Sequence, residues 1–393
     1  MIKLPLIYIY NALSSALFYR GIFIIYLLDN GLDMTQVGIL QSLLFWTMVV
    51  VEVPSGYFAD RYGRKKSLMV SSILLVLSAV GMLFSNQFYF FALVFILEAL
   101  ALSFNSGAGE ALLFSFLKAN GQEDKYLKHR SRISAISSMV LGVAIGLGGW
   151  LQKINFEWVY IATIICVSAS FISIAAFNYE SGGTTEESEQ QETPSILKVF
   201  SNGGLTLNIL LLMIGLVTVE ASMTMIFMYG QFVLPTKGIS TEYIALTYSI
   251  LQFLTAGVYL SSNFLTNRFG FRPVVISSLL LTSIIYVCFI ESAGLLSVSL
   301  FLMLIMVPEI ICLPLEDYFQ TFLPEEKRAT LLSSKSMLTS LITTCNYLVF
   351  GWMFTMYSVD TTLYTAFAYL LIAILFVLAV IYIERKSAAY AHV

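Results

Sequence analysis

The sequence predicts an all-α integral membrane protein of twelve transmembrane helices in two pseudo-symmetric six-helix bundles. Composition, the length of the apolar runs and an internal repeat predict it. Of the 393 residues, 58 % are hydrophobic and only 11 % are charged. Mean hydropathy is +0.83. An average soluble chain is about a quarter charged, so a soluble enzyme of this composition would expose more apolar surface than water tolerates. Disorder is excluded by the same numbers. A transmembrane β-barrel would show short alternating segments in place of long apolar runs. Helices of about 20 residues joined by short loops leave room for roughly a dozen spans.

Charged or Gly/Asn-rich breaks divide the apolar runs into twelve expected helices. The first six cover 4–28, 35–58, 67–85, 88–117, 131–152 and 157–178. The first is followed by further spans and has no small-residue cleavage site, so it reads as a retained span. The second six cover 204–229, 241–265, 273–291, 295–322, 333–356 and 361–384. Between the sets lies YESGGTTEESEQQETPSILKVFSNG, residues 179–203. It is polar, acidic and rich in Gly, Ser and Thr, and reads as a flexible cytoplasmic linker. The expected organisation is therefore a bundle at 1–178, a linker at 179–203 and a bundle at 204–393.

Lysine and arginine set the orientation. With the N-terminus inside, cytoplasmic segments hold 18 of the 21. They include Arg61, Arg64, Lys65, Lys66, Lys125, Lys128, Arg130, Arg132 and Lys335. Outside loops hold only Lys153 and Lys237, and Arg20 lies within the first span. A missed helix would put positive clusters on both sides, so the bias also supports an even helix count.

The repeat appears in two loops. GYFADRYGRKK (56–66) follows the second helix and NFLTNRFGFRP (263–273) follows the eighth. At an offset of 207 residues, Asp60, Arg61, Gly63 and Lys65 fall on Asn267, Arg268, Gly270 and Arg272. Two six-helix halves with the same loop at the same place imply duplication, which is the architecture of alternating-access carriers. Gly56 would permit close helix approach and Gly63 a tight turn. Asp60 could accept from helix-terminal N–H groups or pair with arginine. Arg61, Arg64 and Lys65 sit at the level of anionic headgroups.

The first loop matches every specified position of G-x-x-x-D-R-x-G-R-[KR]. On this motif, its decayed copy, the span count and the central linker, the chain resembles a major facilitator superfamily transporter over essentially its whole length. The resemblance implies that Gly56, Asp60, Arg61, Gly63, Arg64 and Lys65 form a gating loop. That loop would latch the cytoplasmic ends of the halves in the outward-facing state. Asn267 in place of an acid implies a weaker second latch. The resemblance also implies that helices 1, 4, 7 and 10 surround a central cavity. Two family features depart from pattern. Phe104 stands where proton-coupled members carry an arginine, three residues before Gly107. The glycine run GVAIGLGG supplies Gly142, Gly146, Gly148 and Gly149 without the proline of the antiporter signature. Gly142 and Gly146 have the small-xxx-small spacing of tight helix packing, and the run leans towards export.

A charge in hydrocarbon costs at least about 2.5–3.5 kcal/mol on insertion scales, so intramembrane charges mark function by default. They fall mainly on the four cavity helices: Arg20, Glu98 and Glu110, Glu220, and Glu309, Glu316 and Asp317. Seven residues is two helical turns less about 20°. Glu98 therefore shares a face with Asn105, and Glu309 shares one with Glu316. At the repeat offset Glu110 corresponds to Asp317. Arg20 does not readily lose its proton and must pair, with Glu98 or Glu220 as partner. Glu98 and Glu309, deepest by position, are the first candidates to carry a proton. Glu110, Glu316 and Asp317 lie nearer the inner mouth, as gate residues. Pro308 and Pro314 can kink helix 10.

The four cysteines, Cys166, Cys288, Cys312 and Cys345, form no CxxC or Cys/His cluster and read as buried small hydrophobes. A net charge of −3 offers no basic patch for nucleic acid. His129 and His392 fall in a loop and at the tail. There is no GxxxxGK[ST] and no zinc-ligand cluster, so neither an ATP-driven pump nor an enzyme is expected. The expected protein is a monomeric, cofactor-free transporter of a bacterial cytoplasmic membrane, in contact with membrane lipids, with both termini cytoplasmic. It would export a small polar or amphipathic molecule, a drug or a siderophore-like metabolite, against a proton gradient. An importer of the same fold, a sensor and a lipid flippase are the alternatives.

Overall fold

The computed structural model describes residues 4–178, 207–321, 323 and 328–390. The 179–203 linker, Lys3 and His392 lie outside the described residues. Fourteen α-helices are present among those described. Ten segments are long and apolar enough to cross a membrane by length and composition.

The first six expected spans form α1 (Leu4–Ser14), α2 (Phe23–Asp29), α3 (Met34–Tyr62), α4 (Arg64–Phe84), α5 (Phe88–Asn105), α6 (Ala108–Ala119), α7 (Tyr126–Leu151) and α8 (Phe156–Ala176). The rest form α9 (Leu207–Thr236), α10 (Thr241–Phe269), α11 (Phe271–Glu291), α12 (Leu295–Thr321), α13 (Arg328–Met356) and α14 (Val359–Tyr390). Fourteen helices satisfy a twelve-span architecture because two spans are broken. Span 1 is interrupted between α1 and α2, and span 4 at Ser106 and Gly107. Both had been expected to be continuous. By compactness the first unit contains α1 to α8 with residues 239–256, and the second contains α9, the rest of α10, and α11 to α14.

A break inside a membrane is tolerated only where protein groups satisfy the freed backbone, and neighbouring hydroxyls do so here. At the span 4 break, Ser67 of α4 donates to the Phe104 carbonyl at 2.6 Å and Ser71 donates to Ala101 at 2.7 Å. Gly107 takes φ +69°, a conformation that side chains disfavour. At the span 1 break, the Phe18 amide donates to Thr163 Oγ1 of α8 at 3.2 Å. On α1, Ser173 donates to the Leu6 carbonyl at 2.9 Å.

Local caps fix other helix starts. Asp33 and Gln36 form a reciprocal capping box at α3, and Asn155 Oδ1 accepts from the Glu157 amide at α8. The duplicated loops share their backbone chemistry. Gly63 (φ +100°) and Gly270 (φ +86°) sit between consecutive helices. Gly63 N–H donates to Ala59 at 3.0 Å, and Gly270 N–H donates to Thr266 at 2.9 Å. The partners too are 207 positions apart.

Apolar side chains also face outward: Ile165 and Ile172 of α8 are 63 % and 67 % exposed. Such a face suits lipid and not water. The cysteines are free, as expected, but Cys288, Cys312 and Cys345 are exposed and not buried. Their helices pack other faces inward.

Candidate functional site

In the first unit the charged centre lies where span 1 is broken. Arg20 is in the non-helical segment between α1 and α2, not inside a helix as its hydropathy implied. Its Nη1 lies 3.6 Å from Glu98 Oε1 of α5, with side chains 29 % and 8 % exposed. The same oxygen accepts from the Tyr19 hydroxyl at 2.9 Å. Tyr19 stacks on Tyr160 of α8, with centroids 5.4 Å apart, and Tyr26 meets Tyr160 edge-on at 5.0 Å. Nearly two turns into α1, the Tyr10 hydroxyl donates to Asn105 Oδ1 at 3.0 Å. Glu98 and Asn105 thus both meet residues of span 1, which agrees with the shared helix face expected from their seven-residue spacing. Of the two acids offered for Arg20, Glu98 is the partner found.

Glu110 heads α6, beside the Gly107 turn. It is exposed and pairs with Arg130 of α7 at 2.7 Å. His129 lies within α7 and not in a loop, and its Nδ1 is 2.7 Å from the Tyr8 hydroxyl.

Residues of the 56–66 loop brace their own unit. Arg64 donates to the Ala111 carbonyl of α6 at 2.8 Å and also reaches Ser115. Lys65 donates to Ala175 O at 2.8 Å, capping the end of α8. Arg61 donates to the Tyr57 hydroxyl at 2.6 Å and lies over the rings of Tyr57 and Tyr62. Asp60 is exposed and makes no hydrogen bond or ion pair with described residues. Gly63 makes the turn expected of it. Gly56 does not mark a close approach, since a Cβ there would meet nothing within 4 Å among the described residues.

The second unit has its own centre. Lys335 of α13 lies between Glu220 of α9, at 3.5 Å, and Glu316 of α12, with which it forms a closer pair. Thr339 donates to Glu220 at 3.4 Å. Lys335 is only 12 % exposed, against 49 % for Glu220 and 32 % for Glu316. Its assignment to a cytoplasmic segment is therefore corrected: it is a helical residue turned inward. The signal was present, because Lys335 falls within the apolar run expected from 333. Glu309, on the same helix as Glu316, is half-buried, while Asp317 is exposed. Pro308 and Pro314 both lie inside α12.

The glycine run of α7 has two faces. Gly142, Gly146 and Gly149 meet residues 245–253 of α10, and Ser249 Oγ donates to the Gly142 carbonyl at 2.7 Å. Lys153 and Glu242 pair at 2.9 Å at the end of this seam. Gly148 faces the broken segment of span 1.

Among the described residues no group of three or more His, Cys, Asp or Glu side chains is placed to hold a metal. Within the first unit an arginine and a buried glutamate pair where span 1 is broken, and within the second a lysine lies between carboxylates of α9 and of the proline-bearing α12.

Comparison with known proteins agrees with this architecture. The chain matches solved structures over nearly its full length. The nucleoside transporter NupG covers 97 % of this chain and 99 % of its own, with a TM-score of 0.80 and 14 % identity. A D-xylose-proton symporter covers 97 % and 95 %, with a TM-score of 0.69 and 14 % identity. A bacterial homologue of the iron transporter ferroportin gives a TM-score of 0.73 at 14 % identity, over 96 % and 97 %. At such identities the likeness is one of fold. In sequence, the MFS-type transporter YxaM of Bacillus subtilis (strain 168) is 26 % identical over 179 residues, 45 % of this chain. The match spans 44 % of that relative's length. The model of the Major Facilitator Superfamily matches residues 6–314. With that match, the twelve-span fold and the duplicated loop, the chain belongs to the Major Facilitator Superfamily of multi-pass membrane transporters.

Proposed function

We propose that this transporter couples the movement of a small polar or amphipathic organic molecule to a proton gradient, and that it exports its substrate. The observation that carries the reading is the Arg20–Glu98–Tyr19 centre at the break of span 1. An ion pair kept in an apolar bundle at a helix break has a mechanistic use, because a substrate anion or a proton can exchange for one partner. Glu98 and Glu309 are the acids we assign to the proton. Glu220 and Glu316, around Lys335, bind or gate from the second unit. Glu110 and Asp317 stand at the inner mouth, and the loop from Gly56 to Lys65 governs closure. Mixed charge favours a substrate with its own charged group, zwitterionic or carboxylated. The carrier works as a monomer in a bacterial cytoplasmic membrane, without a cofactor.

Export rests on the glycine run of α7. Uptake is the second reading. It draws support from the fold shared with a nucleoside transporter and a D-xylose-proton symporter, and from the packing role that the glycines fulfil against α10.

The test is flux in proteoliposomes under an imposed pH gradient, with compounds first chosen by their ability to raise thermal stability. The proposal expects gradient-dependent flux that Glu98→Gln or Glu309→Gln uncouples. If both variants leave gradient-driven flux unchanged, the proton assignment fails. The direction that a pH gradient drives decides between export and uptake.

A further inference from the structure

We infer that Gly148 and Thr163 are positioning residues that hold the unwound segment of span 1 so that Arg20 reaches Glu98. Both touch Phe18, two residues before Arg20. The Phe18 amide, freed by the break, donates to Thr163 Oγ1 at 3.2 Å, and Thr163 is fully buried. The Thr163 hydroxyl in turn donates to Val159 O at 3.0 Å, which orients its lone pairs towards Phe18. From the other side, the Phe18 carbonyl lies against the bare α-carbon of Gly148. A Cβ there would stand 2.9 Å from the carbonyl carbon and closer still to the oxygen. That obstacle is backbone, so it cannot be relieved by a rotamer change. Gly21, next to Arg20, also lies close to α7, but there a Cβ would meet the side chain of Ile145, one turn from Gly148.

The peptide at Phe18 is therefore pinned at both its amide and its carbonyl by two helices. Tyr19 and Arg20 follow with their side chains on Glu98. This gives Gly148 a role distinct from that of Gly142, Gly146 and Gly149, which face α10. The consequence for transport rests on the reading of the Arg20–Glu98 pair proposed above; the positioning itself does not.

The experiment is modification of Arg20 by phenylglyoxal in the purified full chain. It is read by mass spectrometry on the monodisperse fraction, as a ratio to modification of the exposed Arg61 in the same molecules. Thr163→Val should raise the ratio about fivefold, the size expected when one net hydrogen bond stops holding the segment, and Gly148→Ala, whose Cβ would displace the Phe18 carbonyl, should raise it at least as much. Thr163→Ser, which keeps the hydroxyl, and Gly146→Ala, which alters only the α10 face, should leave it near wild type. A merely structural role would move Thr163→Val and Thr163→Ser together, or neither, and either result overturns the inference. A second measurement needs no variant. The Phe18 amide should be protected from hydrogen exchange in the unmodified protein, and exchange at the rate of an open loop would also overturn it. Neither readout involves flux, so failure here leaves the transport proposal to its own test.

Discussion

Replacing Arg20 by methionine leaves the Glu98 carboxylate in an apolar bundle with the Tyr19 hydroxyl but without its cation. At 3.6 Å, the attraction between two unit charges is about 4–5 kcal/mol at an effective dielectric of about 20. That is an upper bound, because the Arg20 side chain is 29 % exposed and solvent screens part of it. Removing one partner of a largely buried pair costs about 3 kcal/mol on this footing. Replacing both partners by neutral groups of similar volume costs far less, since the desolvation of both charges is recovered. The order of stability should therefore be wild type, then Arg20→Met with Glu98→Gln, then Arg20→Met alone. The assay is the apparent unfolding midpoint in detergent, followed by tryptophan fluorescence with size-exclusion recovery, at one scan rate because such unfolding is seldom reversible. A double variant whose loss equals the sum of the two single losses would show that the charges are not energetically coupled. Arg20 and Glu98 would then not act as a pair.

The same logic applies at Lys335. Lys335→Ala leaves Glu220 and Glu316 facing one another and should cost about 1–3 kcal/mol, reduced by the exposure of Glu220. Adding Glu316→Gln should restore part of the midpoint, and no restoration would count against a paired cluster. Gly149→Val should be worse tolerated than Gly56→Val. A Cβ at Gly149 would collide with Ala245, whereas one at Gly56 meets nothing described within 4 Å; equal expression and midpoints would refute this. Lys237, in the loop between α9 and α10, donates to Ile290 O at 2.7 Å and Ser292 O at 2.9 Å. Burial pushes its pKa below the ordinary lysine value, against the opposing pull of Asp360 and Glu291. Between the folded and unfolded values the unfolded chain binds more protons, so stability rises with pH across that window. The midpoint of wild type relative to Lys237→Gln should climb as pH rises into the lysine range, and a flat or falling difference would contradict the shift.

Much of the architecture is legible in the residues. Apolar runs and the lysine and arginine bias locate the spans. The duplicated loop predicts a turn at Gly63 and its counterpart at Gly270, and both glycines adopt left-handed backbone. The Glu98–Asn105 spacing implies a shared face, and both side chains accept from tyrosines of span 1. The break between α1 and α2 was not legible. The segment SALFYRGI is mostly apolar apart from Ser15, Arg20 and Gly21 and is free of proline, and the groups that hold it unwound, Thr163 and Gly148, lie far along the chain. The break at Gly107 left a clearer trace, because Asn105, Ser106 and Gly107 weaken a helix locally. Lys335 was assigned by loop-charge counting, which cannot tell an exposed lysine from one turned inward by two carboxylates on other helices.

The repair of span 1 by α8 has a consequence for biogenesis. The amide of Phe18 waits on a hydroxyl 145 residues later in the chain. During synthesis the amide is made 145 residues before its acceptor, so the form of span 1 held by α8 waits for the sixth span, and the earliest part of the site is completed by one of the later parts of its unit.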